Sequence, residues 1–510
     1  MGTAASVRFS PGARALLRQA ARELPGPVYL VGGALRDALL GRPVPDLDLV
    51  LRGARAGAAR LARSLRATCV VLDGDAGSYR LVLPAGSPGP RQIDLSELQG
   101  KDIAADLARR DFTVNALALP LTPDLAAAIP AEALIDLRGG RDDLRRGVLR
   151  CETEDILKAD PLRVLRGFRL AAQLGFTLEA GTLRRMRRLR SRVRQSAPER
   201  VSAELTLMLA QPGCSLQVRR MDEAGVLTAL FQDLEASRKC AQCYYGRGGV
   251  LGHTIEVTAR LDSLLADPAA AFADAAGPLL EHLEGRLAPG HPWRATLMLA
   301  ALLHDVSKPE TARRMGGRLR FFGHDTTGAR RAASILRALR FSNETIGTVA
   351  AVVTHHLRPG NLVAGGEITD KAAYRFFRDL GEHAVAVLLV CWADHASYLP
   401  ARQLERLLPA ASADPAAFDP ATVRPAAARK TLRHLQYISQ LLRRRFAEPS
   451  RSVPKLLVDG HDVMKALDVA PGPLIGKILE EVREAQAEGR VGSKKEALAF
   501  LRGLRNRNTK

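Results

Sequence analysis

The sequence predicts an α+β chain in which a small mixed sheet near the N-terminal end gives way to helices that continue to the C-terminus. Between Val28 and Leu95, short apolar runs of strand length alternate with Gly- and Pro-bearing turn signals. From Thr153 onward the apolar spacing is helical. All 11 histidines lie at or after His253. The first half is therefore supplied with carboxylates and arginines, suited to Mg²⁺ and phosphates, and the second with imidazoles suited to transition metals.

A chain of 510 residues has room for roughly three or four domains, each with its own core. The expected boundaries are 1–137, 138–250, 251–408 and 409–510. Lys and Arg number 75 against 54 Asp and Glu, a net charge of +21, and nucleic acid is the polyanionic partner that fits best. The excess is concentrated in Gly181–Arg200, which has eight arginines and one acidic residue at spacings that coat a helix face. No stretch of about twenty unbroken apolar residues is present, and the N-terminus has no secretory core, so the expectation is a cytoplasmic protein without membrane contact. Six cysteines at irregular spacing agree with a reducing compartment. Cys240 and Cys243 form half a zinc motif with no second pair in register, and the spacing reads as incidental.

Residues 1 to about 27 read as one helix, started by Ser10-Pro11 and ended by Pro25-Gly26. Val28–Val31 is a buried strand, and Gly32-Gly33 turns it into a helix reaching about Leu40. Backbone N–H groups at such a turn, with the positive end of the following helix dipole, can seat the oxygens of a triphosphate. Asp46–Leu51 is a strand whose side chains alternate, so Asp46 and Asp48 share a face while Leu47 and Leu49 enter the core. Two hard carboxylates on one face can hold Mg²⁺ beside a nucleotide. A helix at Ala54–Leu65 and strands at Thr68–Leu72, Arg80–Leu83 and Gln92–Leu95 complete the head. Asp94 is either a third carboxylate of the site or an ordinary strand-end Asp.

In Asp106–Leu119, Arg109 and Arg110 offer fork donors for phosphate or ribose, Asp111 can accept from a ribose hydroxyl, and Asn115 can pin the loop. Gly139-Gly140 suits a moving joint. Helical spacing then puts Asp160, Arg163, Gly167 and, approximately, Arg166 on one side, a polar face where a core face would be apolar. Residues 409–428 read as a linker or surface loop, and the tail from Leu457 as helices with a basic end.

Joined, Gly32–Gly41 and Asp46–Val50 strongly resemble the class II nucleotidyltransferases: bacterial CCA-adding enzymes, their CC-adding and A-adding relatives, and bacterial poly(A) polymerases. Arg109–Ala116, RRDFTVNA, matches the family's second motif, and Leu134–Leu149 resembles the hinge between head and neck. The resemblance implies a nucleotidyltransferase head with catalytic, Mg²⁺-holding Asp46 and Asp48. It implies nucleotide contacts from Gly32, Gly33, Arg36, Arg109, Arg110, Asp111, Asn115, Asp160, Arg163 and Arg166, with Asp160 and Arg163 reading the base edge of CTP or ATP. The helix starting at Glu199-Arg200 would brace the neck. Two departures stand out: Ala159 replaces the Glu that leads the base-reading motif, and Ser87–Asp106 is shorter than the flexible segment associated in the family with switching from C to A. The implied reaction is template-independent addition of CCA, or part of it, to the 3′ end of tRNA, with poly(A) polymerase as the alternative within the class.

His253, His304-Asp305, His324, His355-His356 and Asp394 resemble an HD domain. By that pattern His253, His304, Asp305 and Asp394 would bind a divalent transition metal such as Mn, Ni, Co or Fe. His324 and His355 would be near enough for a second ion, and Lys308 would meet a phosphate. An alternative of another class follows, a metal-dependent phosphohydrolase with an RNA-binding head; a third is a non-catalytic RNA-binding scaffold. The expected state is a monomer or homodimer.

Overall fold

The computed structural model describes residues 6–272, 276–286, 292–363, 368–413, 423, 425–447 and 449–508. Contacts divide the chain into two units, Met1–Val201 with Met221–Leu230 and Ser202–Arg220 with Phe231–Lys510.

In the first unit the elements run β1 (Ser6–Arg8), α1 (Pro11–Glu23), β2 (Tyr29–Val31), α2 (Gly33–Leu39), β3 (Asp46–Leu51), α3 (Ala54–Leu65), β4 (Thr68–Asp73), β5 (Ser78–Val82), β6 (Gln92–Glu97), α4 (Ile103–Ala108), β7 (Ala118–Pro120), β8 (Ala128–Pro130), α5 (Gly140–Arg146), β9 (Val148–Leu149), α6 (Glu154–Ala159), α7 (Arg163–Leu174), β10 (Thr177–Leu178) and α8 (Ala180–Leu189). Strands β4-β5-β6-β3-β2-β7 form one sheet, with β3 and β6 parallel and every other pairing antiparallel. The sheet grows around β3, where Leu47, Leu49 and Leu51 are fully buried. On α3, Ala54, Gly57, Ala58, Leu61 and Ala62 are the buried positions, spaced for one helical face.

The N-terminal segment is not one helix. Val7 is buried in a strand that pairs antiparallel with β8, and α1 starts at Pro11 because the Ser10 hydroxyl caps the Ala13 amide at 3.2 Å. Residues 1–5 lie outside the described residues. A second difference concerns residues 154–174. Asp160 precedes Pro161 and is extended (φ −142°, ψ 97°), so α6 ends at Ala159 and α7 begins only at Arg163. The polar face expected from continuous helical spacing is thus split between two helices. Gly139-Gly140 is a tightly bonded turn: Asp136 accepts from the Gly140 and Arg141 amides, and a Cβ on Gly140 would lie 2.3 Å from the Thr113 carbonyl oxygen.

Among the described residues the second unit is helical apart from one short hairpin, Arg313–Met315 with Arg318–Arg320. Its core includes the helices Gly249–Ala266, Pro292–Leu303 and Ala384–Ala396. Asp262 accepts from the Gly213 and Ser215 amides and pairs at 2.5 Å with the fully buried Arg294. The helix Ala401–Ser412 carries Pro409 and the next begins at Ala426, so both ends of the expected linker 409–428 are helical, while 414–422 and 424 lie outside the described residues. The C-terminal helices Gly460–Leu467, Pro473–Ala487 and Lys494–Asn508 close on Val463, Ile478, Val482, Ala485, Ala497 and Leu501. Among the described residues no helix is long and apolar enough to cross a membrane.

Candidate functional site

Alternation along β3 turns Asp46 and Asp48 to one face, half-buried, while Leu47 and Leu49 go under. Asp48 lies opposite Val31 of β2, so the strand leads straight into the Gly32-Gly33 turn. Gly32 needs to be glycine on two counts: its φ is +73°, and a Cβ there would stand 3.0 Å from Oδ2 of Asp48. Gly32, Gly33 and Asp48 line a cavity of about 740 Å³ together with Arg109, Arg110, Asp111, Asn115, Asp155, Ala159, Arg163 and Arg166. Burial, then the Asp94 charge, and more weakly the Asp46 charge, push the Asp48 carboxyl up to about 6, against the opposing Arg110 and Arg36. A half-buried acid confronted by like charges suits a cation, and with Asp46 on the same face this donor set fits Mg²⁺.

Each remaining head residue is fixed by a neighbour. Arg110 donates from Nε to Asp106 at 3.0 Å, and Asp106 in turn accepts from the Gln99 amide. Arg109 is exposed along the cavity, and no protein partner for its side chain is recorded among the described residues. Asp111 is buried and accepts from the Phe112 amide at 2.8 Å and from Asn115 at 3.0 Å, with Arg166 at 3.5 Å. Burial alone would raise its carboxyl, yet Arg166 and these hydrogen bonds hold it below the usual range. Arg36 is buried away from the cavity lining: it forks onto Asp37 and donates to Asn115 at 2.8 Å. Its contact with a nucleotide would pass through Asn115.

The helix pair α6 and α7 closes the other wall. Arg163 lines the cavity, held by the carbonyl oxygens of Arg109 (2.9 Å) and Ile156 (3.0 Å), and its Nε is buried without a partner. Asp160 is not in the lining. Its carboxylate accepts from Arg200 at 2.9 Å and from the Leu162 amide at 3.3 Å. Ala159 and Asp155, four residues apart on α6, both face the cavity. Asp94, the open third carboxylate, is forked by Arg80, which the sequence reading missed; only the strand register brings them together. On α8 and the turn after it, Arg184, Arg187, Arg192 and Arg194 are exposed, and no side-chain partner is recorded for them among the described residues.

In the second unit two groups of donors converge, His253 with His304 and Asp394, and Asp305 with His324 and His356. His356 therefore takes the place expected for His355. The helix Asn343–His355 buries Val349, Val352 and Val353, and the next position of that stripe is 356, which is 1 % exposed. Every clustered imidazole is oriented by an oxygen at Nδ1: Ala301 O for His304 (2.8 Å), Phe321 O for His324 (2.6 Å), Val353 O for His356 (2.7 Å) and Ser397 Oγ for His253 (3.1 Å). A carbonyl can only accept, so at least three of the four carry a proton on Nδ1, and Nε2 is the atom each turns to the cluster. Nε2 of His253 lies 3.1 Å from Asp394 and Nε2 of His304 lies 3.1 Å from Asp305, yet neither contact is aligned as a hydrogen bond, and one oxygen each of Asp305 and Asp394 is buried in the same condition. Such a donor set fits divalent cations. Lys308 does not point to open space: it bonds Asp305 at 2.5 Å and the Tyr245 hydroxyl at 2.8 Å. Cys240 and Cys243 join neither group.

A mixed sheet carrying a Gly-Gly turn and Asp48 at a cavity rimmed with arginine, with Asp46 on the same strand face but outside the lining, followed by helices, defines a nucleotidyltransferase. Comparison with known proteins narrows the class. The poly(A) polymerase head-domain model matches residues 28–78 and 88–150, the probable RNA- and SrmB-binding site of polymerase A matches 175–237, and a putative second domain of tRNA nucleotidyltransferase matches 424–501. A CC-adding tRNA nucleotidyltransferase of Thermus thermophilus is 32 % identical over 487 residues, covering 94 % of this chain and 93 % of the relative. An A-adding tRNA nucleotidyltransferase of Deinococcus radiodurans is 30 % identical over 482 residues, 92 % and 94 % of the two chains. The fold is shared with the Thermotoga maritima CCA-adding enzyme solved with tRNA, at a TM-score of 0.64 and 20 % identity, over 98 % of this chain and 96 % of that one. The chain belongs to the tRNA nucleotidyltransferase family.

Proposed function

We propose that the chain adds nucleotides to the 3′ end of tRNA without a template, using CTP and stopping after CC. The observation that carries the reaction is the meeting of Gly32-Gly33, Asp48 and the arginines 109, 110, 163 and 166 on one cavity. Asp46 and Asp48 would hold Mg²⁺, which stabilises charge on the reacting phosphates and acidifies the attacking hydroxyl. The chain's own groups do the rest. The Gly32-Gly33 turn seats the triphosphate on backbone N–H groups, Arg109 and Arg110 offset its charge, and Arg163 donates to the base edge. Asp160 would read the exocyclic amine after leaving Arg200. The RNA 3′-hydroxyl then gives its proton to solvent, its oxygen bonds to the α-phosphorus, and the bond from that phosphorus to the α–β bridging oxygen breaks to release pyrophosphate. The exposed arginines of α8 and its following turn would track the tRNA backbone.

The choice of C rests on the connection between β6 and α4, which is only Leu98–Asp102 and leaves no room for the segment associated with the switch to A. The test offers each nucleotide singly to tRNA transcripts ending before CCA, after C and after CC. Two C residues added to the first, one to the second and none to the third is the expected result. Addition of A to the CC end would instead make the product A or the full CCA. On this reading 1–137 is the catalytic head, 138–250 the neck and body, 251–408 the histidine-bearing domain and 409–510 the tail, and the work is cytoplasmic.

A second activity is favoured by the Nδ1-anchored imidazoles around Asp305. His253, His304, Asp394, Asp305, His324 and His356 would hold divalent transition metals of an HD-type phosphohydrolase. Ala at both His304 and Asp305 should remove phosphatase or phosphodiesterase activity and leave nucleotide addition intact. Loss of both activities in a folded variant would refute two separate chemistries.

A further inference from the structure

We propose that Arg80 is a positioning residue for the head's cation site: by forking Asp94 it withholds a third carboxylate from Asp46 and Asp48. The inference rests on Asp46 and Asp48 being the cation-holding pair. β3, β6 and β5 lie side by side, with Asp48 opposite Asp94 and Asp94 opposite Arg80, so the three side chains form a row across one face of the sheet. Arg80 gives Nε to Oδ1 and Nη2 to Oδ2 of Asp94, each at 2.8 Å, which commits both oxygens to one guanidinium. The influence extends past the pair. Asp94 is the strongest like charge acting on Asp48, and the charges of Asp46 and Asp48 both reach Arg80.

Without Arg80, three ionised carboxylates would face one point, and a cation there would be held chiefly by protein. With Arg80, the site keeps two free carboxylates. A site with so few protein oxygens would hold Mg²⁺ weakly and leave most of its coordination to water and substrate phosphates. Arg80 thus sets how tightly the ion is held between turnovers. Asp94 is 19 % and Arg80 35 % exposed, and removing the guanidinium lets the Asp94 carboxylate turn towards Asp48 with little repacking.

The test must resolve this site from the histidine cluster. Fe²⁺ with ascorbate and peroxide cuts the backbone beside a bound ion, so fragments ending near Asp46–Asp48 report this site alone, and Mg²⁺ competition measures its affinity. Arg80→Met should raise that affinity about tenfold, the scale of one added ligand charge at a partly solvated site. Arg80→Met with Asp94→Asn should return it to the parental value. Arg80→Lys, which keeps the charge but not the fork, should fall between. A folded Arg80→Met protein with unchanged or weaker affinity overturns the inference. Asp48→Asn separates the two levels: cutting that persists there refutes the carboxylate pair itself. Loss of cutting in Asp48→Asn, with no shift in Arg80→Met, refutes the role of Arg80 alone.

Discussion

Asp48→Asn should inactivate the enzyme and, in the absence of divalent ions, make it more stable. In the folded chain the Asp48 carboxyl is pushed from 3.8 up to about 6, by burial first and then by Asp94 and Asp46. A carboxyl raised on folding binds its proton more tightly in the folded state. Its contribution to stability is therefore greatest below pH 3.8 and is lost as pH rises through about 6. The rise corresponds to about 3 kcal/mol. Solvent reaches the half-buried side chain, which reduces the cost at neutral pH to roughly 1–2 kcal/mol. Asn keeps the shape and sheds the charge. In chelator at pH 7.5 the melting transition of the first unit should rise by about 2–6 °C in the variant, and most of that gain should vanish at pH 4.5. Adding Mg²⁺ should stabilise the parent protein and not the variant. Differential scanning calorimetry at both pH values reads this out. A variant less stable than its parent at pH 7.5 in chelator would refute the account of Asp48 as a strained anion awaiting a cation.

Arg163→Ala should admit UTP and GTP, because losing a paired contact to the base edge costs about 1–3 kcal/mol, or roughly ten- to a hundredfold in discrimination; competition among the four triphosphates measures it, and unchanged preference would leave Arg163 a brace. Replacing Arg187, Arg192 and Arg194 by Ala should weaken tRNA binding uniformly across sequences and flatten its salt dependence by about one unit of slope per lost phosphate contact. His356→Ala should lower the bound transition metal measured by elemental analysis, whereas His355→Ala, outside the cluster, should not; the reverse outcome would refute the placement of the second group.

The head was legible because period-two alternation is a local property. Leu47 and Leu49 had to be buried, and Asp46 and Asp48 then had no other face to occupy. What escaped was decided by neighbours distant in sequence or by a single backbone constraint. Arg80 and Asp94 meet only through strand register, which no local pattern in either segment encodes. The break at Asp160 was available in principle, since Pro161 forbids the helical conformation to the residue before it, but i, i+3, i+4 counting ran across the proline. His356 could also have been found, by extending the stripe of Val349, Val352 and Val353 instead of taking the first histidine of the pair. The placing of Arg36 beneath Asn115 was beyond sequence reasoning, because a buried arginine next to an aspartate looks the same as an exposed one.

Arg163 is gripped by the carbonyl oxygens of residues 109 and 156, groups that every amino acid carries. Exchange of either side chain leaves the grip in place, so the arginine's aim is shielded from point mutation at the positions that hold it. A lineage that changes which base it accepts must alter residue 163 itself, alter what faces it across the cavity, or lengthen or shorten the backbone on either side. The wall that carries Arg163 can thus tolerate substitution at its supports while remaining sensitive to insertion, and on the proposed role of Arg163 this asymmetry favours new nucleotide preferences arising through changes in loop length.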